Sequence, residues 1–348
     1  MTTAIIGIVG IPAAYGGFET LAEKIIEKSS GAVSYTVFCE GYRSGRPRLV
    51  YGGRLRYIPL AANGVVSVLY DFISMLLSLR YDAMLILGVS GAMFLPLIRV
   101  IYRGRIVVNI DGIEWKRAKW SRMAQLFLRL SEYIAVKISD VVISDNEVIR
   151  QHVWKSYGKK SVLIPYGGEK VSGLSEVGRG DVAIAVCRIE PENNVEMILE
   201  AYVINKENKL LFIGNWQKSR YSKGLYRKYS RQSNVTLLDP VYDRRELNVY
   251  RSSSSFYIHG HSAGGTNPSL VEAMSLGVPV CAFNVNFNVS TTRGLCKYFS
   301  SSSDLAAKVK STSREEWSEI GIAMKRIADN YYTWDKIVVL YENAIRGV

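Results

Sequence analysis

Short apolar runs recur along the chain, separated by longer stretches whose apolar residues fall at helical spacing. Residues 4–9, 34–39, 55–59, 82–88, 106–110, 141–144 and 162–165 read as strands, with helices over 17–28, 66–79, 92–101 and 121–138. The runs are nearly continuous in apolar residues, the signature of strands buried on both faces of a parallel sheet. A stretch rich in Gly and charge follows Pro165, which is linker composition. The alternation then restarts, with strands at 182–187, 210–214, 235–238, 256–259, 278–283 and 297–299. Helices fall near 195–203, 221–231, 244–252, 268–276, 303–309, 314–330 and 334–345. Two β-α-β arrays predict an α/β chain of two Rossmann-like doubly wound domains facing a cleft. The expected bounds are 1–168 for the first domain, 169–180 for the linker and 181–330 for the second. The last helix, in 331–348, is expected to pack back on the first domain.

Composition narrows the partners. A chain of 348 residues is long enough for two domains. A hydrophobic fraction of 48% with 22% charged residues describes a folded protein rather than a disordered one. The net charge of +13 asks for an anionic partner: nucleic acid, anionic lipid or a phosphorylated ligand. No nucleic-acid-binding motif is present, and the basic residues concentrate on one amphipathic helix, so nucleic acid is not expected. Cys39, Cys187, Cys281 and Cys296 form no metal-ligand spacing and read as small buried residues of a reducing compartment. No basic region precedes the first apolar run, so a signal peptide is not expected. Residues 83–98 carry no charge, but they fall short of the roughly 20 residues of a spanning helix. Gly88, Gly91 and Pro96 also interrupt them, so a buried strand and helix are expected there.

Four segments carry candidate chemistry. The first runs from His259 to Val280, where a strand leads into the Gly-rich loop His-Ser-Ala-Gly-Gly-Thr and a helix starting at Asn267-Pro268. Loop and helix N-terminus suit a phosphate, at Gly264, Gly265, Thr266 and Asn267. Glu272, about one turn into the helix, suits ribose hydroxyls. Alone, such a turn is common. The second segment, Cys187 to Asn194, ends a strand with Arg188 and offers Asn193. The third is Gly7 to Thr20, with Gly16 and Gly17 able to approach a diphosphate and Glu19 in the first turn of a helix. The fourth is Val108 to Trp120, where Asp111-Gly112 follows a strand; Asp-Gly is also a frequent turn pair.

These segments resemble the GT-B glycosyltransferases of family 4. Glu272-Ala273-Met274 and Gly277-Val278-Pro279-Val280 are similar to that family's donor motif. The motif's first Glu is replaced by Gly264, and the Lys that follows the family's Arg is replaced by Asn193. The Gly16-Gly17-Phe18-Glu19 loop more narrowly resembles a bacterial subgroup with an N-terminal domain of unknown function. That subgroup includes retaining β-1,4-rhamnosyltransferases of polysaccharide assembly.

The resemblance implies that Arg188, Asn193, Gly264, Gly265, Thr266, Asn267 and Glu272 bind a nucleoside diphosphate sugar, with dTDP-L-rhamnose favoured. It implies that Asp111 accepts or orients the acceptor hydroxyl's proton, and that Gly16, Gly17 and Glu19 form a phosphate or acceptor loop. It further implies a polyprenyl-diphosphate-linked saccharide as acceptor. Glu114, Trp115, Lys116, Arg117, Lys119 and Trp120 are candidate contacts to that acceptor or to an anionic membrane surface. The basic helix after them suits such a surface; a solvated basic face over a core stripe is the alternative. The expected location is cytoplasmic, peripheral on the inner face of the cell membrane. No Asp-x-Asp occurs and the three histidines form no cluster, so no metal or other cofactor is expected. A sugar-nucleotide 2-epimerase of the same fold and a non-catalytic sugar-nucleotide-binding protein are the alternatives.

Overall fold

The computed structural model describes residues 1–13, 16–41, 46–117, 120–169 and 180–348. The expected linker at 169–180 therefore lies, save for its two end residues, outside the described residues, as does Lys119. The chain divides into two compact units, Met1–Gly167 with Trp334–Val348, and Gly168–Thr333.

In the first unit the strands are β1 (Thr2–Ile6), β2 (Ser34–Glu40), β3 (Leu49–Val50), β4 (Gly53–Ile58), β5 (Ala83–Leu87), β6 (Arg105–Asn109), β7 (Val141–Ser144) and β8 (Val162–Leu163). They form one sheet in the order β3-β4-β2-β1-β5-β6-β7-β8. Only the β3–β4 pair is antiparallel. Every residue of β5 is buried, which is why its sequence is an unbroken apolar run. Strand order reverses between β1 and β5, the switch point at which ligands of such sheets bind. The uncharged stretch at 83–98 becomes β5, a short tight turn of helix at Ser90–Phe94 and part of the helix Leu95–Ile101. No described helix is long and apolar enough to cross a membrane.

The helix Trp334–Arg346 completes the core of this unit. Trp334, Ile337, Val338, Tyr341 and Ile345 are buried with Ile5, Leu85 and Val107. Asn109 Nδ2 donates to the Tyr341 hydroxyl at 2.6 Å. Glu342, itself buried, accepts from Ser29 Oγ at 2.8 Å and from Ser30 Oγ at 2.6 Å. Gly167 has no side chain because a Cβ there would lie 2.5 Å from the Trp334 ring.

In the second unit the strands are β9 (Val182–Val186), β10 (Lys209–Ile213), β11 (Val235–Leu238), β12 (Tyr257–His259), β13 (Val280–Phe283) and β14 (Lys297–Phe299). They form a wholly parallel sheet, ordered β11-β10-β9-β12-β13-β14. Order reverses between β9 and β12. The carboxyl ends of those two strands carry Cys187–Asn194 and the Gly-rich loop after His259, so the fold brings two separate sequence segments to one switch point. Cores lie on both faces of the sheet, one around Phe212, Trp216 and Phe256, the other around Tyr257, Leu270 and Met324.

Candidate active site

The loops after β9 and β12 are fastened to each other. Asn194 Nδ2 donates to the Gly260 carbonyl at 2.9 Å. Ser262 gives the Glu192 carbonyl two hydrogen bonds, from its backbone N–H at 2.9 Å and its hydroxyl at 2.8 Å. A Cβ at Gly260 would collide with the Asn193 carbonyl, so only glycine permits this approach. Asn288 Nδ2 adds a bond to the His261 carbonyl at 2.9 Å. The two loops are thus fixed relative to each other, which would lower the ordering cost of binding a ligand there.

Asn267 caps the helix Pro268–Ser275, its Oδ1 accepting from the Ser269 N–H at 3.0 Å. Gly264 has a φ of 122°, a backbone conformation open to glycine, and a Cβ there would meet nothing within 4 Å. Gly265 is half-buried and Thr266 buried. The N-terminus of that helix opens on the loop, the arrangement that favours a phosphate.

Glu272 is held from behind. Arg251 Nη2 lies 2.6 Å from Glu272 Oε2, with side-chain exposures of 3% for Arg251 and 38% for Glu272. Among the described residues Glu272 Oε1 has no hydrogen-bond partner. A carboxylate fixed by one oxygen and open at the other is prepared to accept a hydroxyl donor. Arg251, on the helix Arg244–Ser253, is not signalled by its local sequence.

Arg188 is half-exposed at the end of β9. Its Nε lies 4.0 Å from Glu190 Oε2, while Lys218 Nζ lies 3.8 Å from Glu190 Oε1. Asn193 has a different place from the one its position suggests. It is buried, and its Nδ2 donates to the Arg188 carbonyl at 2.7 Å, so it braces the Arg188 loop. His259 is fully buried on β12, stacked on His261 with ring centroids 4.4 Å apart. Burial first, and the neighbouring His261 second, hold its imidazole well below the usual histidine range, so it is neutral.

In the first unit Glu19 is buried and accepts from the Val9 N–H at 3.2 Å, fixing the loop after β1. A Cβ at Gly16 would meet Glu19 Oε2 at 2.5 Å, so Gly16 admits that carboxylate. Gly17 begins the helix Gly17–Glu27. Val9, Gly10, Glu19, Cys39 and Tyr57 line a cavity of ≈ 270 Å³ at this end of the sheet.

Asp111 follows β6 with a φ of 60°, a left-handed conformation uncommon outside glycine and one that clusters at functional sites. Its N–H donates to Asn109 Oδ1 at 2.9 Å. Asp111 and the start of the helix Gly17–Glu27 follow strands of one sheet at its carboxyl edge, with β5 between those strands. Glu114 accepts from Arg117 Nη1 at 2.8 Å and from Trp120 Nε1 at 3.0 Å, so these three hold one another. Trp115 lies under two cations, Lys116 Nζ at 5.4 Å and the Arg129 guanidinium at 5.3 Å from its ring.

The helix Arg122–Ile138 presents Met123, Leu126, Leu130 and Tyr133 to solvent, with Arg122 and Arg129 also exposed. Leu97, Val100 and Ile101 are exposed on the helix Leu95–Ile101, which packs beside it. The apolar stripe expected to face either core or membrane is therefore outside.

Residues 172–330 match the family of glycosyl transferases group 1. Residues 1–169 match a domain of unknown function, DUF1972. No curated protein sequence matches the chain. Among solved structures, a sucrose-phosphate synthase from Thermosynechococcus elongatus is similar at a TM-score of 0.80 and 16% identity, over 99% of this chain and 98% of that one. HepE from Anabaena in complex with UDP is similar at 0.75 and 14%, over the whole of both chains. Its complex with UDP-glucose is similar at 0.74 and 14%, again over both whole chains. A glycosyltransferase from Rickettsia africae matches at 0.69 and 12%, over 99% and 98%. At such identities the likeness is one of fold. The chain has the GT-B fold, and the glycosyl transferases group 1 domain matched over its second unit supports a glycosyltransferase.

Proposed function

We propose that the chain transfers a sugar, L-rhamnose from dTDP-L-rhamnose being the favoured donor, to a polyprenyl-diphosphate-linked saccharide in surface polysaccharide assembly. The observation that carries the donor half is Glu272, one oxygen tied to buried Arg251 and the other open, beside the helix start at Asn267. In this reading Glu272 accepts from the ribose, and Arg188 with the N-terminus of the helix Pro268–Ser275 takes the diphosphate. Positive charge aimed at the leaving diphosphate stabilises it as its bond to the sugar breaks. These groups supply charge without a metal ion. HepE, of the same fold, is known in complexes with UDP and UDP-glucose, which supports a nucleotide sugar as donor. Asp111, strained at the end of β6, is the candidate to receive the acceptor's proton. Retention of configuration rests on the family 4 resemblance alone. The exposed apolar stripe with Arg122 and Arg129 supports an anionic membrane surface as the place where a lipid-linked acceptor is met.

Thermal stabilisation by dTDP, UDP, GDP and NAD, each with and without Mg²⁺, tests the donor half on wild type and Glu272→Gln. One nucleoside diphosphate is expected to stabilise the wild type regardless of Mg²⁺, and the variant far less. Asp111→Asn is then expected to bind that nucleotide normally but transfer no sugar. Flat curves for all four ligands would remove the nucleotide site; full turnover by Asp111→Asn would remove Asp111 from the chemistry.

A further inference from the structure

Resting on the donor site proposed above, we propose that Lys218 is its second phosphate-binding cation and that Glu190 occupies both cations until a diphosphate displaces it. Lys218 lies far from Arg188 in sequence, in the loop leaving β10 just before the helix Arg220–Tyr229. The fold brings the two together. β9 and β10 are parallel neighbours, so both loops emerge at the same sheet edge. Gly214, the first residue after β10, makes the approach possible. A Cβ there would lie 2.5 Å from Ile189 Cδ1 and 2.7 Å from the Cys187 carbonyl. Trp216 then pins the loop, fully buried, its Nε1 donating to the Leu238 carbonyl at 3.1 Å. Lys218 follows two residues later, on a loop fixed from both sides.

The charge arrangement points to an exchangeable anion. Glu190 faces Arg188 through one oxygen at 4.0 Å and Lys218 through the other at 3.8 Å. Both distances exceed a charge-assisted hydrogen bond, about 2.7–2.9 Å. The cations are half-exposed, at 50% and 47%, so the carboxylate holds them loosely and in water's reach. Exposed pairs of this kind add little stability. A diphosphate brings more charge and more acceptor oxygens than one carboxylate and can contact both cations directly. The need for a second cation is local. The two asparagines of the Arg188 loop bring no charge and are already engaged, Asn193 buried and turned to the Arg188 carbonyl and Asn194 to the Gly260 carbonyl.

Calorimetric titration separates this from the reading it rests on. The probes are UDP and dTDP, with uridine and thymidine as phosphate-free controls, on wild type, Lys218→Gln, Glu190→Gln and Glu272→Gln. A charged hydrogen bond lost from the diphosphate should weaken the bound diphosphate about tenfold in Lys218→Gln. The matching nucleoside should bind that variant as it binds the wild type. Glu190→Gln, which removes the competing carboxylate, should bind the diphosphate more tightly than wild type. Wild-type affinity for the diphosphate in Lys218→Gln, with Glu272→Gln impaired, would overturn the role of Lys218 and leave the donor site standing. Equal weakening of nucleoside and diphosphate would also overturn it, as a loss of loop structure. No binding of either diphosphate by folded wild type would overturn both.

Discussion

The Arg251–Glu272 pair makes the proposed donor site unusual to mutate, because its two members do not stand in the same surroundings. Glu272→Ala leaves the Arg251 guanidinium buried, with Asn248 Oδ1 at 3.3 Å as its remaining partner among the described residues. Its Nε is already without a hydrogen-bond partner among them. Breaking a buried pair by removing one partner costs about 3–5 kcal/mol. Glu272 is 38% exposed, so water enters the vacated space and the lower end, about 3 kcal/mol, is expected. Arg251→Met leaves a carboxylate that can turn to solvent and a side chain that still fills the space, at a cost of about 1 kcal/mol. In the double variant the stranded charge is gone. Its stability should therefore sit near that of Arg251→Met, giving a coupling of about 3 kcal/mol. Scanning calorimetry without nucleotide reads this as a Tm lowered by about 6–12 °C in Glu272→Ala and by about 2–4 °C in the other two. Equal losses in the single variants, with additive loss in the double, would refute the argument that burial of Arg251 sets the energetics. The same cycle matters for function. Glu272→Gln keeps an oxygen for Arg251, so it tests the proposed ribose contact with less damage than Ala does.

Asp71 supplies a pH dependence of known sign. It is buried on the helix Ser67–Leu77, and burial pushes its carboxyl up to about 7 against hydrogen bonds from Ser90 and Gly91. The folded state therefore holds the proton more tightly than the unfolded state. Stability should fall as pH rises from the ordinary carboxylate range through about 7, then level off, by a few kcal/mol in all. Denaturant titrations of Asp71→Asn at a series of pH values should lack this slope; an unchanged slope would place the titrating group elsewhere. On the surface, Met123→Glu with Leu126→Glu should abolish co-sedimentation with vesicles rich in anionic lipid while leaving nucleotide-induced thermal shifts intact. Retained sedimentation would remove the helix Arg122–Ile138 from membrane contact.

Much of the architecture is written in local pattern, because parallel strands buried on both faces need unbroken apolar runs, as β5 shows. What escaped the pattern was short or polar. β3 is two residues long, turned back by Tyr51 and Gly52 at positive φ, too brief to show a period. The helix Asn286–Thr292 is rich in Asn, Ser and Thr, residues whose side chains compete for backbone hydrogen bonds and favour turns. At the candidate site, the glycine loop, Asn267 and Glu272 stood out because a strand-loop-helix start is a contiguous signal. Arg251 and Lys218 were not, since each gains its place only when distant segments meet.

The helix Arg122–Ile138 shows how far tertiary contacts can reverse a sequence pattern. Its apolar residues at 123, 126, 130 and 133 form a stripe at helical spacing, the pattern of a core-facing side. The buried face is instead Leu128, Ser131, Glu132, Ala135 and Val136. A buried carboxylate is costly unless satisfied, and Glu132 is satisfied from the helix Glu147–Tyr157. His152 Nε2 lies 2.7 Å from its Oε1, and the Tyr157 hydroxyl donates to the same oxygen at 2.5 Å. That local arrangement fixes the helix's rotation and leaves Met123, Leu126, Leu130 and Tyr133 outward. Chain folding alone would gain by burying them, at about 25 cal/mol per Å² of apolar surface. An apolar stripe exposed by a specific polar lock, beside Arg122 and Arg129, is the surface that the proposed membrane contact would cover.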